Sequence, residues 1–433
     1  MTTGHHLVLC DGTQGDPRAF RAAYAHYLAT CVREFDGVES YLPPALRAPH
    51  ARLVDLVRRA RTIDERMLLH CFASSTVATP LHCLALQETL PAFRERIVEA
   101  AGAMMPHLLF EMALHGLLEE SEVWTCDTVG PPRLASLAVG GTIVPPAAAT
   151  RLVFAATGIV ALAGDGEIAR LPLDPDEIRA ACEAPDGFRF EPRYHPLANV
   201  TQLATIDHNP IAAFEAHPDK SGNAVDLGGR PETEWIGMLD EAFALVERFL
   251  PETFAEMRLS LREVVPVGYD AERHLSASYR EAIGTMYLTL HPNIMTMTEA
   301  VVHEFQHNKL NVASYGAAFL ENPFHPLYPS PVRPDPRPLW GILLAVHAFL
   351  PVAELYRRMR DAQHPLAAIS GFDARLADID LKNHEGMDML RAHAKLTAPG
   401  AVVFGDLEAL ERRHLAERTE RGLSNVATDV HQP

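Results

Sequence analysis

Apolar positions recur at helical spacing through most of the first 125 residues. Stretches such as PRAFRAAYAHYLATCVREF and PAFRERIVEAAGAMMPHLLFEMALHGLLEE place them three and four apart, and proline-containing turns such as YLPPALRAPH separate the runs. The pattern predicts helices over 16–125. From 131 the period shortens: RLVFAATGIVALAGDGEIARLPL reads as short strands, with Gly164-Asp165-Gly166 as a hairpin turn. Residues 183–232 are rich in Pro, Asp, Asn and Gly and read as a long connection. A helix is expected next, capped near Thr233 and ending before Pro251. Three strand candidates follow, SLREVVPVGY, HLSASYRE and GTMYLTLHP, and then a helix from Thr296 or Thr298 through TEAVVHEFQHNKLNVAS. The loop ENPFHPLYPSPVRPDPRP carries seven prolines and cannot be helical throughout. Beyond it a helix is expected from about Leu339 to Ala362, kinked at Pro351, with further helical sequence and a polar tail.

These elements predict an α+β protein, mostly helical, with a small sheet preceding the helix that carries HEFQH. On this reading the chain divides into a helical N-terminal region (1–130), short strands with connecting loops (131–195) and a metal-binding catalytic region (196–433). Composition narrows the function. With 38 Lys+Arg against 56 Asp+Glu the formal net charge is −18, which repels a phosphate backbone and argues against nucleic acid as a partner. The six cysteines are scattered over the first half without a CxxC, so they read as reduced thiols of a cytoplasmic protein. The opening MTTGHHLVLCDG lacks the basic and apolar regions of a signal peptide. No run approaches the ~18 uninterrupted apolar residues of a membrane span.

The candidate chemistry centres on His303-Glu304-Phe305-Gln306-His307. Positions i and i+4 share a helix face, so both imidazoles can address one metal ion, with Glu304 reaching its open side as a base or as an orienting partner. A third ligand is needed. His347 lies 40 positions after His307 in the apolar run GILLAVHAFLPVAEL, and Glu354 follows seven residues later on nearly the same face. Three histidines would form a neutral set, and two with Glu354 a two-His-one-carboxylate set. Unless it is a ligand, a buried Glu354 needs Arg357 or Arg358 as a partner. His325, in the proline-rich loop, is a weaker candidate that is expected to face solvent. Arg333 and Arg337 sit in a proline-stiffened segment between the two metal-bearing helices, pre-organised for a carboxylate or else paired with Asp335.

The stretches VHEFQHNKLN, SPVRPDPRPLWGILLAVHAFLPVAELY and IDHNPIAAFEAHPDKSGNAVDLGGRPETEW resemble a bacterial family, the HExxH-containing 2-oxoglutarate-dependent peptide β-hydroxylases of ribosomal-peptide biosynthetic clusters. The resemblance covers roughly residues 195–360. It implies that His303 and His307 bind iron(II), with His347 the matching position for a third ligand and Glu354 still open. It also implies 2-oxoglutarate and O2 as cosubstrates, and a precursor peptide hydroxylated at a β-carbon. Arg333 or Arg337 would hold the distal carboxylate of 2-oxoglutarate. The alternative from the five-residue motif alone is a zinc-dependent metallopeptidase with Glu304 as general base. A further alternative is an inert peptide-binding protein that keeps the metal as a strut. His208, His217, Asp219 and Lys220 lie in the polar connection and read as a surface turn or a substrate-contacting loop. No dinucleotide or Walker-type glycine motif is present.

Overall fold

A computed structural model of the 433-residue chain describes residues 18–126, 130–214 and 222–420. The N-terminal region is built from α1 (Arg18–Gly37), α2 (Pro44–Phe72), α3 (Ser75–Leu84) and α4 (Arg94–Leu114). In α2 the buried positions Leu53, Val54, Leu56, Val57 and Ala60 form the apolar stripe that the sequence period requires. The helix breaks at Asp64 (φ −153°, ψ 97°), where the side chain accepts a bond from Met67 N at 2.9 Å and restarts the next turn. Helicity stops at Leu114, earlier than the sequence suggests, and the chain then enters a strand at Glu122.

Strands β1 (Glu122–Thr125), β2 (Leu134–Ser136), β3 (Gly141–Val144), β4 (Arg151–Ala155), β5 (Gly158–Ala163) and β6 (Gly166–Leu171) follow. After α5 (Pro175–Ala181) come β7 (Arg189–Pro192), β8 (Tyr194–Leu197) and β9 (Thr201–Ala204). Two antiparallel sheets result, β1-β4-β5-β6 and β2-β3-β7. The β5–β6 turn is the expected Gly164 hairpin, with φ +58° at that glycine. The 183–232 stretch is no simple connection, because β7, β8 and β9 all lie within it. Pro192 ends β7 and Pro196 lies in the edge strand β8, where a missing N–H is tolerated, and strands of this stretch pair with partners far away in sequence, such as Val144 with Arg189 and Gln202 with Glu263. A boundary at 195 would also cut β8.

The remaining elements are α6 (Glu232–Phe249), α7 (Pro251–Ser260), β10 (Glu263–Tyr269), β11 (Ser276–Ala277), β12 (Thr285–Leu290) and α8 (Ile294–Ser314). Then come β13 (Leu327–Tyr328), β14 (Arg337–Pro338), α9 (Leu339–Asp361), α10 (Phe372–His393) and α11 (Ala398–Glu420). The expectation of a mostly helical α+β fold, with a small sheet before α8, is met. That sheet has the order β11-β12-β10-β9-β8, with β9, β10 and β12 parallel and the two outer strands antiparallel. One apolar core runs from α1 to α11, and Phe20 of α1 meets Phe305 of α8 edge-on at 6.0 Å. A buried ion pair, Lys309 Nζ to Glu256 Oε2 at 2.7 Å, ties α8 to α7.

Two helical stretches, Pro91–Leu114 and Leu339–Asp361, are long and apolar enough to cross a membrane. Their apolar windows are 67% and 78% buried inside the fold, which accounts for their composition. Cys31, Cys71 and Cys83 are buried thiols in no disulfide. Cys10, the N-terminal residues and the C-terminal tail lie outside the described residues.

Candidate metal centre

Asn293 caps α8, its side chain accepting from Met295 N at 2.9 Å, so the helix begins slightly before the expected threonines. Val301, Val302, Phe305, Leu310 and Val312 bury the helix in the core. At ~100° per residue, His303 and His307 fall within about 40° of one another, and both line a cavity of about 730 Å³. Their rings lie 4.4 Å apart, and one donor atom from each of His303, Glu304 and His307 falls within 4.8 Å of the others. Burial lowers both imidazole pKa values. For His303 the shift is large and is strengthened by His307, His274 and Arg375, and for His307 the Glu304 charge opposes it. Neutral imidazoles are the form that binds a metal. The Nδ1 atoms of both are buried without a hydrogen-bond partner. Phe349 of α9 packs on His303 at 4.5 Å and closes one side.

Glu304 is 2% exposed, and its carboxylate is fixed from the sheet side. Ser278 Oγ donates to Glu304 Oε2 at 2.7 Å. Asn308 Nδ2 lies 3.2 Å from Ser278 Oγ and donates to the carbonyls of Thr285 and Glu304, both at 3.1 Å. Asn308 Oδ1 in turn accepts from Gly284 N at 2.8 Å. The one-residue step from His303 therefore carries a carboxylate whose orientation the β11–β12 connection sets.

Arg333 and Arg337 line the same cavity from the proline-rich loop. Both face Asp335, with Arg337 Nε at 2.9 Å and Arg333 Nε at 3.6 Å. One carboxylate lies between two guanidiniums on this wall. The expected Arg–Asp335 pairing and the placement of two guanidiniums opposite the histidines thus occur together.

The later helix does not bring its histidine to the group. His347 is fully buried and does not line the cavity. The residues of α9 that do are Gly341, Leu344, Ala345 and Phe349, and His347 lies two residues, or ~200°, beyond Ala345. Glu354 is also absent from the cavity. Its carboxylate accepts from Arg358 Nε at 2.8 Å, Arg413 Nη2 at 2.9 Å and His414 Nε2 at 2.9 Å. Although burial pushes its pKa up, the bond from His414 and the charges of Arg413 and Arg358 hold it well below the usual carboxylate range. Arg358 was an expected partner, whereas Arg413 and His414 come from α11. His325 is exposed. His208 lies away from the cavity, bonded to Tyr194 Oη at 3.0 Å, with burial lowering its pKa to about 3. His217, Asp219 and Lys220 lie outside the described residues.

Two cavity residues escape a reading of the sequence. His274 lies just ahead of β11 and close enough to His303 to depress its protonation. Ser278 follows β11 and holds Glu304. A single histidine 29 positions upstream of the motif, in a chain with 22 histidines, carries no local signal, and a serine carries less. No protein-family model and no curated protein matches the chain.

Proposed function

We propose that this chain is an iron(II)- and 2-oxoglutarate-dependent oxygenase. Its substrate is a ribosomally made peptide, hydroxylated at a β-carbon in the cytoplasm, as in the HExxH peptide β-hydroxylases that its central motifs resemble. The observation that carries the reading is one cavity holding two neutral imidazoles and, on the facing loop, Arg333 and Arg337. A hydrolase has no use for a second anionic cosubstrate, whereas a 2-oxoglutarate enzyme needs a cation for the distal carboxylate.

The donor set fits such a metal: two imidazoles in the ligating protonation state, a buried carboxylate beside them and open volume in front. His303 and His307 would hold the ion, with Glu304 or His274 completing the set. When bound, iron(II) supplies the capacity to activate dioxygen at the expense of 2-oxoglutarate. The protein's own part is positioning. Arg337 and Arg333 orient the cosubstrate by its distal carboxylate, Ser278 keeps the Glu304 carboxylate aimed at the histidine pair, and Phe349 walls the His303 side against water.

A zinc-dependent metallopeptidase is the second reading. It is favoured by the closeness of the Glu304 carboxylate to both imidazoles, from which it can take a proton from an attacking water. Anaerobic purification with metal analysis, followed by succinate release dependent on oxygen and peptide, tests the first reading. A peptide product one oxygen heavier is the expected result. Two peptide fragments made by zinc-loaded protein without 2-oxoglutarate would overturn it.

A further inference from the structure

A second cavity of about 370 Å³, mostly apolar but carrying charged groups, lies where the N-terminal helices meet the sheets, and the metal centre uses none of it. Its walls come from the end of α2, from α4, from the β8–β9 turn and from the segment entering β10. The turn is a three-residue hairpin loop, Ala198 to Val200, with φ +48° at Ala198 and +54° at Asn199, and its backbone is pinned by Ala198 N donating to Asp240 Oδ1 at 2.8 Å. Clefts at such junctions are common places for small-molecule sites.

The wall carries two opposite charges whose bonding is incomplete. Glu111 is 4% exposed, and among the described residues its carboxylate meets His115 Nε2 alone, at 3.6 Å, which is beyond hydrogen-bond reach. Its oxygens keep access to the cavity rather than being sealed off, so their acceptor positions are open to solvent or to a ligand. Arg262 spends Nη2 on Tyr24 Oη at 3.3 Å and Leu259 O at 2.9 Å, while its Nε has no partner. The Thr201 hydroxyl, on a side chain 6% exposed, has none either. His70, between these groups, has its protonation disfavoured by burial and then by Arg262 and His115, so it presents an imidazole lone pair. The cavity therefore offers acceptors beside Glu111 and donors beside Arg262.

We propose that this cavity binds a small zwitterion of the free α-amino acid type, with its ammonium on Glu111 and its carboxylate on Arg262. An ammonium alone would be opposed by the guanidinium, and a carboxylate alone by Glu111. A molecule carrying both charges satisfies each wall at once and fits the volume.

Calorimetric titration of the full-length protein with each of the twenty common amino acids is the test. At least one should bind saturably, one to one, with Kd below about 10 mM. The α-hydroxy acid of the same side chain, which lacks the ammonium, should bind at least tenfold more weakly. Glu111→Gln, which keeps shape and removes charge, should lose at least tenfold, and Arg262→Lys should lose less than Arg262→Gln. His303→Ala should bind as the wild type does, which separates this cavity from the metal centre. The proposal is overturned if no amino acid binds saturably. It is equally overturned if folded Glu111→Gln binds as tightly as the wild type. Should the Arg262 variants not fold, Glu111→Gln and the hydroxy acid decide.

Discussion

Glu263, at the start of β10, is buried to 1% exposure, and its burial makes a measurable demand on stability. Ser75 Oγ donates to its Oε1 at 2.5 Å, while Oε2 is buried with no partner, as suits a protonated carboxyl. Burial raises its pKa to about 8, with the Ser75 bond opposing and the Asp207 charge adding to the rise. The folded protein therefore holds a proton that the unfolded chain, with its carboxyl near 4.5, has released. The linkage has one sign. Between about pH 4.5 and 8 the native state binds more protons, so stability is fully present below that window and falls as pH rises through it. At 1.36 kcal/mol per pKa unit the total is at most about 5 kcal/mol, reduced by any relaxation around the ionised group. Asp207 behaves alike, with burial raising it to about 6. The histidines whose pKa values burial lowers, His303, His307, His70 and His208, contribute a slope of the opposite sign near pH 6.5, so only the difference between the wild type and a Glu263 variant isolates Glu263. Urea unfolding of wild type and Glu263→Gln at half-unit pH steps measures the effect. Relative to the variant, the wild type should lose about 1 kcal/mol per pH unit from 6 to 8, the histidine contributions cancelling in the difference. Parallel pH profiles over that range would refute the reasoning.

Three other outcomes follow from the site. His303→Ala and His307→Ala should each abolish stoichiometric metal binding, read by metal analysis of folded protein, while His347→Ala should keep it because that residue does not line the cavity. Arg337→Ala should raise the apparent KM for 2-oxoglutarate about tenfold, since a half-exposed charge-assisted bond is worth ~1.5 kcal/mol, and leave metal content unchanged. Glu354→Ala should destabilise the fold by about 3 kcal/mol in denaturant unfolding, because it removes the anion shared by Arg358, Arg413 and the buried His414, without affecting metal stoichiometry.

Local repetition was readable from residue order alone, because backbone geometry fixes it. Four residues make a little more than one helical turn, so HEFQH had to put His303 and His307 on one face, and the apolar residues around them had to bury that helix. The Gly164 hairpin and the N-terminal helices follow in the same way from spacing and turn chemistry. What residue order could not determine is which distant segments meet. Strands β7 to β9 hid in a proline- and asparagine-rich stretch because their register is set by partners elsewhere in the chain, such as Gln202 beside Glu263. Apolar periodicity placed His347 on a buried helix, but only the packing of α9 decided that Ala345 and Phe349, not His347, line the cavity that holds His303 and His307. Glu354 needed a partner, and that it would be Arg413 and His414 depended on α11 folding back some sixty residues later. His274 and Ser278 join the site from either side of β11 for the same reason: a side chain's neighbours across the fold are chosen by packing over long sequence distances, on which local spacing has no hold.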